Sequence, residues 1–541
     1  MNVIELILVL LVVVAALTPV ARRLHVPYPI LLVVGGLVLA LIPSVPDIQL
    51  TPELVFLLFL PPLVYRAAFT TSIRDFRALL RPILSLAVGL VLATMAAVAV
   101  VVHTLMPQLG WPLSFAFGAI VSPPDAVAAA AVFRGLGVSR KVVSLLEGES
   151  LINDATALVA YGAALGAASM AVTAGEVTMQ FLYVGLGGVV VGLAVAVVVA
   201  WLQRHLTDPA VEVTLSLLTP FAAYLPAQQV GVSGVLAAVT AGLYLGWRSP
   251  YISHSEARLR GAAVWDIVDF ILNGLVFILI GLQLSTILPS MEGQSLLSLL
   301  GLGLLISLTL VVVRMVWVFI DHYLQRGVYR LPFVHPASKP GSIAKAGAQH
   351  HWKELFVVGW AGMRGVVSLA AALALPAATP ERNLLIFLTF FVILATLVGQ
   401  GLSLPLLIRA LGVGVDSNII VHQEQHARRS AVEAALARIE HLKIEWPTHR
   451  PLIDSLQSQY EHRLSHYAHN HNGNNGDSSV DDHDDPVEID QELLEHHKIR
   501  RAVIEAERTV MLDLRERGEI DDSVWNSIER DLDLEDLRMD A

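Results

Sequence analysis

The stretch Glu147-Gly148-Glu149-Ser150-Leu151-Ile152-Asn153-Asp154 sits inside a segment, residues 140–172, that is otherwise apolar enough to span a bilayer. Ionisable groups at that depth are costly, and they persist where they bind ions, relay protons or pair with one another. A helix turns about 100° per residue, which puts Glu147, Ser150 and Asp154 near one stripe and Glu149 with Asn153 on the adjacent one. Leu145, Leu146, Leu151 and Ile152 cover much of the rest. The polar groups therefore converge on one face, the first place to look for the protein's work.

The rest of the chain supports a membrane reading. Of its 541 residues 55% are hydrophobic and 15% charged, with a mean hydropathy of +0.63, whereas soluble domains carry roughly 25% charged residues. Apolar runs of about 20 residues fall near 2–21, 28–45, 51–66, 79–106, 113–133, 140–172, 177–203, 209–228, 231–247, 262–288, 294–320, 355–376 and 383–408. The expected fold is thus an all-α polytopic membrane protein of about 13 transmembrane helices. Arg22 and Arg23 follow the first run instead of preceding it, so it reads as a retained helix and not a signal peptide. Absence of cysteine rules out disulfides, thiol chemistry and Cys-metal sites.

Loop charges give an orientation. Arg22/Arg23, Arg74/Arg77/Arg81, Arg134/Arg140/Lys141, Arg204, Arg248/Arg258/Arg260 and the basic residues from Arg326 to Lys353 occupy alternate loops. The intervening loops hold Asp47, Glu53, Glu176, Glu292 and Glu381, with Arg382 their one basic residue. The positive-inside rule then places the N-terminus outside and everything after residue 409 in the cytoplasm, as an odd helix count requires. A transmembrane domain over 1–411 gives way to a charged tail over 412–541. Residues 421–469 and 487–541 read as amphipathic helices, for example Val432, Ala435, Leu436, Ile439 and Leu442 at helical spacing. The polar segment 470–486 between them reads as a flexible linker. The net charge of -11 and the acidic end of the tail give no reason to expect nucleic acid.

Two weak points interrupt the hydrophobic runs. At Ser122-Pro123-Pro124-Asp125 two prolines remove amide donors and disfavour helix just before them, so helical bonding breaks in mid-membrane. Asp125 then opens the resumed half-helix, where a carboxylate offsets the positive end of the dipole; a buried cap and a direct ion ligand are both open readings. Gly359-Trp360-Ala361-Gly362-Met363-Arg364-Gly365 is a second, glycine-rich break, and Arg364 there needs an anionic partner or exposed helix carbonyls. Paired breaks in the two halves of a chain are the signature of an inverted-repeat transporter, with its site where the broken helices cross.

LEGESLINDATALV resembles the sixth-helix signature of the monovalent cation/proton antiporters, in particular the Asn-Asp branch that includes NhaP-type bacterial sodium/proton antiporters and the animal sodium/proton exchangers. GWAGMRGVVSLAAALALP is similar to that family's twelfth-helix motif, and FLPPLVYRAAFTTSIRDFR to its third-helix segment. The resemblance covers residues 1 to about 411. It implies that Asp154 binds cation and proton in turn, with Asn153 its neutral neighbour, Ser150 a hydroxyl ligand, Asp125 the aspartate of the fifth-helix break, and Glu149 paired with Arg364. It also implies a homodimer in the cell membrane and no cofactor or resident metal. Two departures stand out. Pro124-Asp125 replaces a Thr-Asp or similar pair, leaving only the Pro124 carbonyl to reach an ion. Arg66 stands where some relatives carry an acidic residue, which puts ion selectivity in doubt.

On this reading the protein is a secondary antiporter, not an enzyme, exchanging protons for sodium, lithium or potassium. If Asp154 alone changes ligand, its loaded forms are neutral and its empty form charged, so only loaded forms cross a low-dielectric barrier and one-for-one exchange moves no net charge. Glu147, nearer the cytoplasmic end, belongs to an ion funnel or is a solvated carboxylate. Arg314, Asp266 and Asp269 read as structural ion pairs, and Asn273 as a polar core contact. His462, His466, His469 and His471 fit a solvated, pH-responsive segment better than a metal site. The competing reading is a cation channel or membrane sensor signalling through the tail; no hydrolase motif is present.

Overall fold

The computed structural model describes residues 3–24, 26–42, 51–133, 136, 138–169, 174–206, 208–291, 295–328, 351–413, 417–469 and 491–540. All regular structure among the described residues is helical. Helices of eight or more residues are numbered in chain order. The first are α1 (Val3–Leu24), α2 (Tyr28–Ala40), α3 (Leu60–Thr70), α4 (Val91–Leu105), α5 (Gly110–Val121) and α6 (Ala126–Phe133). Next come α7 (Arg140–Ser169), α8 (Ala174–Gln203), α9 (Pro209–Gln229), α10 (Gly234–Ile252), α11 (Ser255–Leu282) and α12 (Leu296–Val328). The membrane part closes with α13 (His351–Trp360), α14 (Val366–Leu373) and α15 (Arg382–Leu411). Among the described residues nine helical stretches are long and apolar enough to cross a membrane. The thirteen expected from the hydrophobic runs include stretches outside this set, such as the charge-bearing α7.

The chain divides into two compact units, Met1–Ser253 with Gly261–Gly414, and His254–Arg260 with Val415–Ala541. In the first, α15 is apolar on every side and buried as such: Leu385, Leu388, Val392, Ile393, Leu397 and Leu404 have almost no exposed surface. The equally apolar α8 exposes Leu186, Val190 and Trp201, which suits a lipid-facing helix. Helices α3 and α10 approach closely because α10 carries Gly242 and Gly246, where any Cβ would strike the Tyr65 and Phe69 carbonyls of α3. That contact fixes α3, the bearer of Arg66.

The second unit contains α16 (Ser417–Glu445), α17 (Arg450–His469), α18 (Gln491–Arg517) and α19 (Asp522–Asp540). The periodic residues Val432, Ala435, Ile439 and Leu442 are buried against Ile453, Leu456 and Val503, with Leu436 at the edge. The single helix expected over 421–469 is divided. Trp446 leaves the helical region (φ -126, ψ 64) before Pro447, because the proline ring crowds the residue ahead of it. The expected linker 470–486 and His471 lie outside the described residues. The unit also takes in His254–Arg260, the start of α11: Arg258 Nε donates to Asp533 Oδ2 at 2.9 Å and Ser255 Oγ to Asp536 Oδ2 at 2.8 Å.

Glu507 of α18 is 5% exposed, and its Oε1 has no hydrogen-bond partner. Loss of hydration raises its pKa from 4.5 to about 7; Glu535 adds to the rise, while the Tyr460 hydroxyl, Arg463 and Arg428 oppose it. Below pH 4.5 the carboxyl is protonated whether the tail is folded or open, so it has no pH effect there. Between 4.5 and about 7 only the folded form holds the proton, and tail stability falls as pH rises, by up to roughly 3 kcal/mol. Hydrogen exchange of α18 in the full-length protein, corrected for intrinsic rates, should show weaker protection at pH 8 than at pH 5. Glu507→Gln should remove most of that difference; an unchanged slope would mean that other groups set it.

Candidate functional site

The two breaks fall where the chain chemistry predicts and they meet. Helix α5 stops at Val121, residues Ser122 to Asp125 are non-helical, and α6 resumes at Ala126. The second interruption covers 361–365: Gly359 and Trp360 remain helical, because glycine permits a break without forcing one. The breaks exchange a backbone bond, Asp125 N–H to the Met363 carbonyl at 2.7 Å. Gly365 is required there, since a Cβ would collide with the Asp125 carboxylate.

The first break leaves two helix ends inside the bundle, and both find a partner. Asp125 Oδ1 accepts from the Val127 N–H at 2.8 Å, capping the N-terminus of α6. The opposite end, the last carbonyls of α5, receives Arg364: Nε donates to Val121 O at 3.1 Å and Nη2 to Ser122 O at 3.4 Å. Its Nη1 donates to the Gly362 carbonyl and its backbone N–H to Thr396 Oγ1 at 3.2 Å. A cation at a helix C-terminus meets the negative end of the dipole. Arg364 thus uses the second of the two partners its chemistry allows, exposed carbonyls.

The expected Glu149–Arg364 pair is corrected by this geometry. Glu149 is held by Arg314 of α12, whose Nη1 and Nη2 reach its Oε1 and Oε2 at 2.5 and 2.8 Å. Both side chains are 1% exposed. A two-pronged guanidinium–carboxylate contact satisfies both charges at once, and Arg314 Nε also donates to Val358 O at 3.2 Å near the end of α13. With its own partner found among carbonyls, Arg364 leaves the carboxylate to Arg314.

The two stripes of α7 separate as their spacing implies. Glu149 and Asn153 are buried; Asn153 Nδ2 donates to the Pro124 carbonyl at 2.9 Å, so the carbonyl proposed for the ion already holds one bond. Ser150 Oγ accepts from Ala126 N–H at 3.4 Å. Glu147, Ser150 and Asp154 line a cavity of about 290 Å³ together with Asp125, Arg66, Asp266, Asp269 and Ser368. Among the described residues Asp154 has no hydrogen-bond or ion-pair partner, in contrast to Asp125 and Glu149. Asn273 Nδ2 donates to Asp269 Oδ1 at 2.9 Å. Ser368 went unnoticed in the sequence; its hydroxyl is buried with no partner on the cavity wall, and its polar signal is a single serine in the apolar half-helix α14. A larger cavity of about 610 Å³, lined by Leu92, Trp111, Phe115, Ala163 and Phe181 among others, carries no ionisable side chain among the described residues.

The family model described as sodium/hydrogen exchanger, transmembrane, matches residues 8–410. The chain belongs to the sodium/hydrogen exchanger family. This exchanger is 33% identical over 535 residues to an uncharacterised Na+/H+ exchanger of Mycobacterium tuberculosis, covering 96% of this chain and 93% of that one. It is 29% identical over 547 residues to the sodium, potassium, lithium and rubidium/H+ antiporter of Bacillus subtilis, covering 98% and 77%. In fold it is similar to the sodium proton antiporter MjNhaP1 from Methanocaldococcus jannaschii, with a TM-score of 0.58 at 22% identity over 75% of this chain and 98% of that one. It is a multi-pass membrane protein and a cation/proton antiporter by family.

Proposed function

We propose that this exchanger trades one proton for one monovalent cation at Asp154, by alternating access and without net charge movement, in the manner of the Asn-Asp branch. The observation that carries the reading is how the charges at the crossing are used. Asp125 caps α6, Glu149 is taken by Arg314, and Arg364 is taken by carbonyls. Asp154 is the cavity carboxylate at the crossing that remains for a ligand. Asn153 positions the α7 face against the Pro124 carbonyl without titrating. An empty, charged Asp154 disfavours crossing, so the carrier moves when loaded with either ion.

Ser150, Asn153, Asp125 and the Pro124 carbonyl complete the proposed cation and proton site, the unpartnered Ser368 hydroxyl adds an acceptor, and Glu147 lies on the approach. Sodium is the first substrate; lithium and potassium stay in the reading because the Bacillus subtilis relative is named for them. The alternating basic loops support an outside N-terminus and a cytoplasmic tail, with 412–541 a separate domain. A homodimer follows from the family resemblance. Reconstituted into liposomes with an imposed pH gradient, the protein should take up sodium with saturation and only while protons move the other way. Sodium flux that grew linearly with concentration and needed no proton gradient would indicate a channel.

A further inference from the structure

We propose that the Arg66–Asp266 pair sets the affinity of the exchanger for its cation, Asp266 holding a built-in competing cation away from Asp154. The inference rests on the reading of Asp154 as the transport carboxylate. Arg66 projects from α3 and Asp266 from α11, with Nη2 3.0 Å from Oδ1. Both line the 290 Å³ cavity that contains Asp125, Glu147 and Asp154. Arg66 is the one basic side chain among the described residues of that lining, and a guanidinium keeps its charge at any working pH.

A permanent cation tethered inside a carboxylate-lined cavity is present at high effective concentration, so it competes with any mobile cation for the same oxygens. The partner decides how strongly it competes. Asp266 is 76% exposed at its side chain and Arg66 18%. Ion pairs with so solvated a member contribute little to stability, so this pair is poorly suited to holding the fold together. Its position does have an effect: with its charge spent on Asp266, Arg66 adds less repulsion to an arriving cation and cannot fold over Asp154. Asp269, one turn further along α11, accepts from Asn273, and the carboxylate that Arg66 meets at salt-bridge distance is Asp266.

The test is the KM for sodium and the maximal rate in proteoliposomes for wild type, Asp266→Asn, Arg66→Gln and the double variant, with Arg66→Lys as the charge-keeping control. Releasing the guanidinium by Asp266→Asn should raise KM roughly three- to tenfold, the size expected for moving a unit charge a few Å at an effective dielectric of about 20. The maximal rate should change less. Arg66→Gln should lower KM, and in that background Asp266→Asn should shift it little, whereas with Arg66→Lys the shift should persist. Equal shifts in the Arg66 and Arg66→Gln backgrounds, or none in either, would overturn the proposal. Failure of the Asp154 assignment is separable, because it would appear as exchange surviving in Asp154→Asn whatever the Arg66 and Asp266 variants do. Asp266 is exposed, so its variant reports on KM in a folded protein even if Arg66→Gln gives low yield, and an unchanged KM in Asp266→Asn alone is already decisive.

Discussion

Asp154→Asn should reduce coupled exchange to the background of protein-free vesicles while leaving abundance and thermal stability near wild type. The amide nearly matches the carboxylate in shape, and among the described residues Asp154 holds no hydrogen-bond or ion-pair partner that the change would orphan. What the variant loses is chemistry. An amide neither takes up nor releases a proton in the working pH range, and it cannot neutralise a cation crossing a low-dielectric barrier. Both halves of the cycle fail together. Measuring sodium-dependent pH change in vesicles, alongside unfolding in detergent, separates this from misfolding. Exchange persisting near the wild-type rate would move the shared site elsewhere in the cavity.

The second large effect falls on stability. Removing Glu149 leaves two buried guanidiniums, Arg314 and Arg364, with no carboxylate between them, and loss of one partner of such a pair typically costs about 3–5 kcal/mol. Glu149→Gln and Arg314→Met should each lower the unfolding temperature and yield. The double variant should recover a large part of the loss, because the removal of each charge relieves the other. Pairing Glu149→Gln with Arg364→Gln should recover much less, since Arg364 bonds to the Val121 and Ser122 carbonyls and not to Glu149. A double-mutant cycle that put the larger coupling on Arg364 would contradict the geometry.

The contrast between these two arginines shows what the sequence could and could not convey. The breaks were legible because Pro123 and Pro124 remove amide donors by covalent structure, and the crowding of Glu147, Ser150 and Asp154 on one stripe follows from helical periodicity alone. Partnership was not legible. Glu149 and Arg314 lie 165 positions apart, and nothing in spacing says which of two buried arginines a carboxylate meets. The choice is made by helix ends, since the carbonyls freed at the α5 break demand a donor as strongly as a carboxylate demands a cation. The tail repeats the pattern: the periodicity of Val432, Ala435, Ile439 and Leu442 predicted a buried stripe, while the attachment of Arg258 to Asp533 joins two polar segments that look solvated when read singly.

In the proposed cycle a single carboxylate passes between proton and cation, so that a complete turn carries no net charge. Sodium-driven proton flux in proteoliposomes, at fixed ion gradients and with potassium and valinomycin setting the voltage, tests it most directly once potassium has been shown not to compete. Each net charge moved per cycle would feel about 2.3 kcal/mol per 100 mV. The rate should be the same at zero and at strongly negative potential; a rate that changed steeply with voltage would contradict one-for-one exchange at Asp154.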